Sequence, residues 1–223
     1  MNHRRVGRRE VLAGLAGGGV AALAGCLGVG GSDTSPLADH PVAEGLADQP
    51  TQGPAVGDAT ATVVAFEDPS CVRCAAFHRD TVPRLRSELV DPGTVSYVLR
   101  PYPVVFEWGE AATRALWATY ERDAAAFWGL LDHYFTDQDA FSSGNVLDLT
   151  EAWLTAETSV DAAAVREAAA ADGFPAPVQR NLDVGEAADV TGTPTVFLFR
   201  DGEYRTSASG SVSYEFVTSA LEL

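Results

Sequence analysis

The sequence predicts an α/β domain. A strand–helix–strand unit opens it, a long helical block interrupts it, and a strand–strand–helix unit closes it. Three observations carry that prediction. Thr62-Val63-Val64-Ala65-Phe66 is an apolar, β-rich run followed at once by Cys71-Val72-Arg73-Cys74. Val196-Phe197-Leu198-Phe199 is a second such run, introduced by Thr191-Gly192-Thr193-Pro194-Thr195. Between them, from about Phe106 to Ala188, apolar residues recur at helical rather than alternating spacing.

Ahead of the domain stands an address. Arg8-Arg9-Glu10-Val11-Leu12 resembles a twin-arginine export signal, and the apolar stretch after it, Val11 to about Leu23, is shorter than the ~20 residues a spanning helix needs. It ends in Leu23-Ala24-Gly25-Cys26, which resembles a lipobox, so residues 1–25 are expected to be removed and Cys26 to carry lipid. A single acyl chain anchors only marginally, so stable attachment calls for a multi-chain lipid or a second signal. Residues 26–58, rich in Gly, Pro, Ser and Asp, read as a flexible tether. The domain itself is then 59–223, held on the extracytoplasmic face of the membrane.

Within the domain each element has its own signature. Ala61–Phe66 reads as a buried strand. Asp68-Pro69-Ser70 makes a turn, and Cys71 opens a helix to about Leu89 whose core stripe is Phe77, Thr81, Leu85 and Leu89, with a kink expected at Pro83. Asp91-Pro92-Gly93 stops it, and Thr94–Arg100 is the next strand. The helical insertion, about 105–188, shows one face at Ala111, Ala115, Leu116 and Tyr120 and another at Phe127, Leu130, Leu131 and Tyr134. Trp108, Trp117, Trp128 and Trp153 all fall here and are expected in its core. Strands Thr195–Phe199 and Tyr204–Ser207 meet through Asp201-Gly202, a hairpin signal, and a last helix runs from Tyr214 to Leu223.

Charge narrows the function classes. The net charge is −16, there is no lysine, and downstream of Cys26 there are 11 arginines against 30 acidic residues. Such a surface excludes nucleic-acid binding through a basic face. Its self-repulsion weakens a compact state in dilute buffer and is screened at molar salt, a pattern that resembles haloarchaeal proteins. With three cysteines, two of them in one motif, the chain is not a disulfide-stapled scaffold.

The Cys71–Cys74 spacing lets a disulfide close within one helical turn, and a helix N-terminus favours the thiolate of the first cysteine. The run Phe66-Glu67-Asp68-Pro69-Ser70-Cys71-Val72-Arg73-Cys74, then Phe77-His78, Thr81-Val82-Pro83-Arg84-Leu85 and Gly192-Thr193-Pro194-Thr195, resembles the DsbA-like thioredoxin-fold disulfide oxidoreductases from about Ala59 onward. The resemblance implies a thioredoxin fold with a helical insertion, a nucleophilic Cys71, a resolving Cys74 and a cis-Pro194 beside them. Thr193 and Pro194 would offer backbone to an extended client segment, and Arg73 would favour the thiolate. It further implies thiol–disulfide exchange with exported proteins, most naturally as an oxidase served by a membrane redox partner, with reductase or isomerase sharing the same residues. No cofactor beyond the two cysteines is expected.

One position departs from the family pattern. The buried acid that many members carry behind the cysteines falls at Ala65. Glu67 shares the face of Ala65 if the strand continues, but its expected place is the solvated turn. Cys71, Cys74 and His78 also share a helical face with metal-ligand spacing, yet a closed site wants four ligands, so His78 is expected as a surface or packing residue and no metal is expected. A module that only recognises proteins would have little reason to keep both cysteines.

Overall fold

Five strands make one sheet in the computed structural model, which describes residues 35–223; the export segment and Cys26 lie outside the described residues. They are β1 (Thr51–Gln52), β2 (Ala61–Glu67), β3 (Val95–Pro101), β4 (Thr195–Arg200) and β5 (Glu203–Ser209), in the order β1-β3-β2-β4-β5. β2 and β3 pair in parallel, the relation a helical crossover imposes, and the other pairs are antiparallel. Alternation along β2 divides two cores. Ala61, Val63 and Ala65 pack with Phe77, Leu85 and Val217, whereas Val64 and Phe66 pack with Val184, Val190 and Phe197. Asp201 and Gly202, at φ of 53° and 77°, turn β4 into β5 in the left-handed region such a two-residue turn requires.

The helices are α1 (Val72–Asp80), α2 (Val82–Leu85), α3 (Glu107–Tyr120), α4 (Ala124–Thr136), α5 (Val146–Glu157), α6 (Ala162–Ala170), α7 (Ala176–Ala187) and α8 (Tyr214–Ala220). The single kinked helix expected over 71–89 is instead two. The chain leaves helical geometry at Thr81 (φ −120°, ψ −51°), and Pro83 falls in the first turn of α2, where a missing N–H leaves nothing unpaired. Thr81 Oγ1 donates to the Val212 carbonyl at 2.8 Å and ties the break to the α8 side of the fold. A π-type turn, Arg86–Val90, then ends the segment. Asp123, Asp161 and Ser213 cap α4, α6 and α8 with side-chain oxygens on the first free amides.

Helices α3 to α6 share a core built on Leu116, Phe127, Leu130, Leu131, Tyr134, Leu154 and Val165, with Trp108 at its edge. Cys71, Cys74 and Leu99 belong to the same cluster, so the cysteine pair lies at the seam between sheet and helical insertion. Among the described residues no helix is long and apolar enough to cross a membrane.

The tether expected over 26–58 is corrected from Pro36 onward. Three short 3-10 turns, Leu37–Asp39, Pro41–Ala43 and Leu46–Asp48, lead into β1 as a strap packed on the domain. Val42 and Leu46 are buried, and the His40 ring packs against Phe197, Phe199 and Tyr204. The wholly buried Arg100 donates to the carbonyls of Val42 (2.8 Å) and Glu44 (2.5 Å) and to Asn181 Oδ1 (2.6 Å). Asn181 in turn donates to Gln49 Oε1 at 3.0 Å. Pro- and Gly-rich composition suits tight turns as well as coil, and the strap's few apolar residues, Leu37, Val42 and Leu46, join one cluster around Phe66 and Phe197 from successive short turns rather than along a periodic face.

Candidate active site

Cys71 is the N-cap of α1, with extended backbone (φ −81°, ψ 117°) and its amide donating to the Asp68 carbonyl at 3.0 Å. The Asp68 carboxylate fixes this turn from behind. It accepts from the Ser70 amide (2.7 Å) and hydroxyl (2.6 Å) and from the amides of Val104 (2.7 Å) and Val105 (2.8 Å), while Ser70 Oγ accepts from the Phe106 amide at 3.1 Å. Helix α3 approaches so closely that a Cβ on Gly109 would stand 2.5 Å from Asp68 Oδ1, which is why glycine occupies that place. Val72, Val104, Val105 and Phe106, all exposed, lie next to Cys71 in sequence or in the loop this clamp holds.

From the front the sulfur meets the loop before β4. The Thr193–Pro194 peptide is cis, and the Cys71 thiol donates to the Thr193 carbonyl at 3.2 Å across 122 residues of chain. Cys71 is pulled down to about 6. The Cys74 thiol donating to its sulfur is the largest cause, and the Thr193 side chain and the amides of Cys74 and Arg73 help; together they outweigh burial. The Thr193 hydroxyl is buried beside the sulfur without the alignment of a hydrogen bond. Cys74, fully buried, is pushed well above the usual thiol range by burial first, then by its bond to Cys71 and by the charges of Glu67 and Cys71. Both cysteines are reduced. Arg73 contributes its amide; its guanidinium is exposed and reaches toward Gly210, whose own amide donates to the Pro194 carbonyl at 2.8 Å.

The expectation that Glu67 lies in a solvated turn is overturned. β2 runs one residue beyond Phe66, pairing Glu67 with Pro101, so the carboxylate keeps the pleat of Ala65 and turns inward to α1. It is 1% exposed and accepts a short hydrogen bond from the Tyr97 hydroxyl. Burial, with the adjacent Glu67 charge, holds that hydroxyl firmly protonated. His78, one helical turn after Cys74, is buried as well, and its Nε2 approaches Glu67 Oε2 to 2.9 Å without the alignment of a hydrogen bond. Two signals mark this group in the sequence: the shared parity of positions 65 and 67, and the four-residue step from Cys74 to His78.

An oxidisable pair at a helix start, facing a cis-proline loop on a β-α-β/β-β-α sheet with helices inserted, defines a thioredoxin-fold protein of the DsbA-like kind. A thioredoxin family model matches residues 50–221, and the chain belongs to that family. It is similar to disulfide bond formation protein D of Bacillus subtilis (strain 168), at 24% identity over 146 residues, 63% of this chain and 64% of that one. The chain spans less than two thirds of the length of the curated relatives first matched, 64% and 66% of them. Among solved structures, oxidised BdbD from Bacillus subtilis gives a TM-score of 0.66 at 22% identity over 78% of this chain and 91% of that one. Chlamydia trachomatis DsbA gives 0.63 at 19% identity over 78% and 88%. The catalytic domain of Proteus mirabilis ScsC gives 0.58 at 20% over 82% and 98%. These likenesses are likenesses of fold.

Proposed function

We propose that the chain is an exported thiol–disulfide oxidoreductase, anchored by lipid at Cys26 on the extracytoplasmic face, that oxidises cysteine pairs in exported proteins. The single observation that carries this reading is the divided proton affinity of the pair. Cys71 is a thiolate at neutral pH, Cys74 is a buried thiol, and the Thr193 carbonyl stands 3.2 Å from the first sulfur. A thiolate so stabilised is a good leaving group and makes the disulfide form an oxidant. A client thiolate attacks Cys71 Sγ of the oxidised pair, and the Cys71–Cys74 bond breaks. Cys74 leaves and takes up a proton, for which Glu67 stands in place of the acid absent at Ala65. The second client thiolate then attacks the client sulfur of the mixed disulfide and releases Cys71 as thiolate. Two electrons pass from client to protein, and a membrane redox partner removes them to renew the disulfide. Thr193 and Pro194 present backbone edge to the client strand, and the exposed Val72 and Val104–Phe106 meet its apolar residues.

The test is the reduction potential of the Cys71–Cys74 couple, measured with oxidation of a reduced, unfolded disulfide protein. A potential more oxidising than glutathione, with stoichiometric client oxidation, supports the reading. A couple more reducing than glutathione would make the protein a reductase. Mass spectrometry of the natively expressed N-terminus checks the anchor: an intact Met1, or an unmodified Cys26, removes it.

A further inference from the structure

Cys74, Glu67 and Tyr97 form a buried group sealed from solvent, at 0%, 1% and 2% exposure. A proton that Cys74 gains or loses at every turnover must nevertheless cross to water. His78 joins this group to the outside. On its inner side Nε2 stands 2.9 Å from Glu67 Oε2, and on its outer side Nδ1 stands 3.9 Å from Asp132 Oδ1, a half-exposed carboxylate on α4. His78 also lines a cavity of about 390 Å3 opening between α1, α2 and α4, whose other walls include Arg79, Arg86, Asp132 and Phe135. Of the four buried groups, His78 alone lines it. The ring is held at a centroid distance of 4.3 Å from Phe135, so its two nitrogens keep their opposite aims.

We infer that His78 is the proton port of the buried cysteine, passing protons between Glu67 and water in the α1–α2–α4 cavity. The inference rests on the exchange chemistry proposed above. When the Cys71–Cys74 bond breaks and Cys74 leaves with the electron pair, its sulfur takes up the proton that the Glu67 carboxylate passes on from His78 Nε2–H. His78 recovers one from cavity water. Re-formation of the disulfide runs the same path outward. The groups that set the charge of His78 are Glu67 from β2, Tyr97 from β3, Cys74 and Arg79 from α1, Asp132 from α4 and Arg86 from the turn after α2. Carboxylates stand at opposite edges of the ring, Glu67 at Nε2 and Asp132 at Nδ1, so a proton taken up at one nitrogen is matched by one released at the other.

The reduction of the oxidised full-length protein by dithiothreitol, followed by rapid mixing and tryptophan fluorescence, isolates the departure of Cys74 without any protein client. His78→Gln keeps a polar side chain of similar reach but takes up no proton; it is expected to reduce about 10- to 100-fold more slowly than wild type, with a flatter pH profile. His78→Ala vacates a space open to the cavity, and added imidazole is expected to restore most of its rate while leaving wild type unchanged. A ring that merely packs is not replaced by a soluble base. A His78→Gln rate and pH profile equal to wild type overturn the port, and so does a slow His78→Ala with native thermal stability that imidazole fails to restore. Should His78→Ala not fold, the His78→Gln comparison decides alone. If dithiothreitol reduces the wild-type pair faster than His78→Gln but no client is oxidised, the functional reading falls and the port stands; normal client oxidation with an unaffected His78→Gln removes the port alone.

Discussion

Within one helical turn the protein assigns opposite proton affinities to two chemically identical thiols. Cys71 sits where amides converge and a second thiol donates to it, and Cys74 sits where nothing solvates a charge. Because the folded value of Cys71 lies below its ordinary 9.0, the thiolate is present above about 6 and is lost as pH falls through that value. Iodoacetamide alkylation of the reduced protein should therefore rise with a midpoint near pH 6. Thr193→Val removes the hydroxyl beside the sulfur and should move that midpoint upward, whereas Arg73→Gln keeps the amide and should leave it nearly in place; an Arg73→Gln shift equal to that of Thr193→Val would give the guanidinium a role of its own. Cys71→Ser should abolish exchange, and Cys74→Ser should accumulate mixed disulfides with clients, seen as reducible adducts on gels. Adducts on Cys71→Ser instead would reverse the two roles. The two cysteines and the Thr193-Pro194 step were legible because their chemistry is written in neighbouring residues. The inward turn of Glu67 and the burial of His78 were not, since they depend on one extra residue of β2 pairing and on α4, with Phe135 and Asp132, closing over α1.

Elements hold this arrangement through two polar fasteners that local pattern does not reveal. Asp68 joins the Cys71 turn to the loop before α3, and Asp68→Ala would orphan the buried amide of Ser70 together with the part-buried amides of Val104 and Val105. A buried unsatisfied group costs about 1–3 kcal/mol and one that water can reach costs less, so a loss of roughly 2 kcal/mol is expected in denaturant unfolding. Asp68→Asn, which keeps an acceptor, should lose less. Arg100 fastens the strap to β3 and α7 without any carboxylate in its hydrogen-bond set, and burial lowers it only to about 10, so it stays charged at neutral pH. The strap was read as tether because composition reports flexibility while burial of Val42 and Leu46 is a property of the surface they meet. A sign reversal tests it. Arg100→Met should destabilise the chain when the strap is present, by loss of three hydrogen bonds. In a chain starting at Pro50 the same change should stabilise, because the strap's two carbonyls are gone and the guanidinium is left with Asn181 as its one protein partner; unfolding midpoints of the four proteins would show it. Destabilisation in both backgrounds would mean that Asn181 and solvent suffice for Arg100.

Across the whole molecule the order of strands and helices was readable because each strand carries a continuous apolar run and each helix a stripe, and the order alone selects few topologies. Surface charge is the other property legible at this scale, and the structure adds where it stands. Many of the arginines are already engaged: Arg84 with Glu88 and Glu215, Arg166 with Asp148 and Glu151, Arg86 with Asp132, Arg114 with Glu110 and Arg180 with Asp48. With 11 arginines against 30 acidic residues after Cys26, most carboxylates are left facing like charges across solvent. Folding draws them together, so repulsion acts against the native state more than against the unfolded chain. The Debye length falls from about 10 Å at 0.1 M salt to about 3 Å at 1 M, shorter than most spacings between surface carboxylates. The midpoint of thermal unfolding should therefore climb steeply between 0.1 and 1 M potassium chloride and level off beyond, as screening saturates. Adding about ten lysines at exposed Asp and Glu positions remote from the cysteine pair should flatten that climb while leaving exchange with dithiothreitol intact. A midpoint that is level or falls with salt in the parent chain, or a climb that the lysine variant keeps in full, would show that charge repulsion is not what salt relieves, and the adaptation to high salt read from the missing lysines would fall with it.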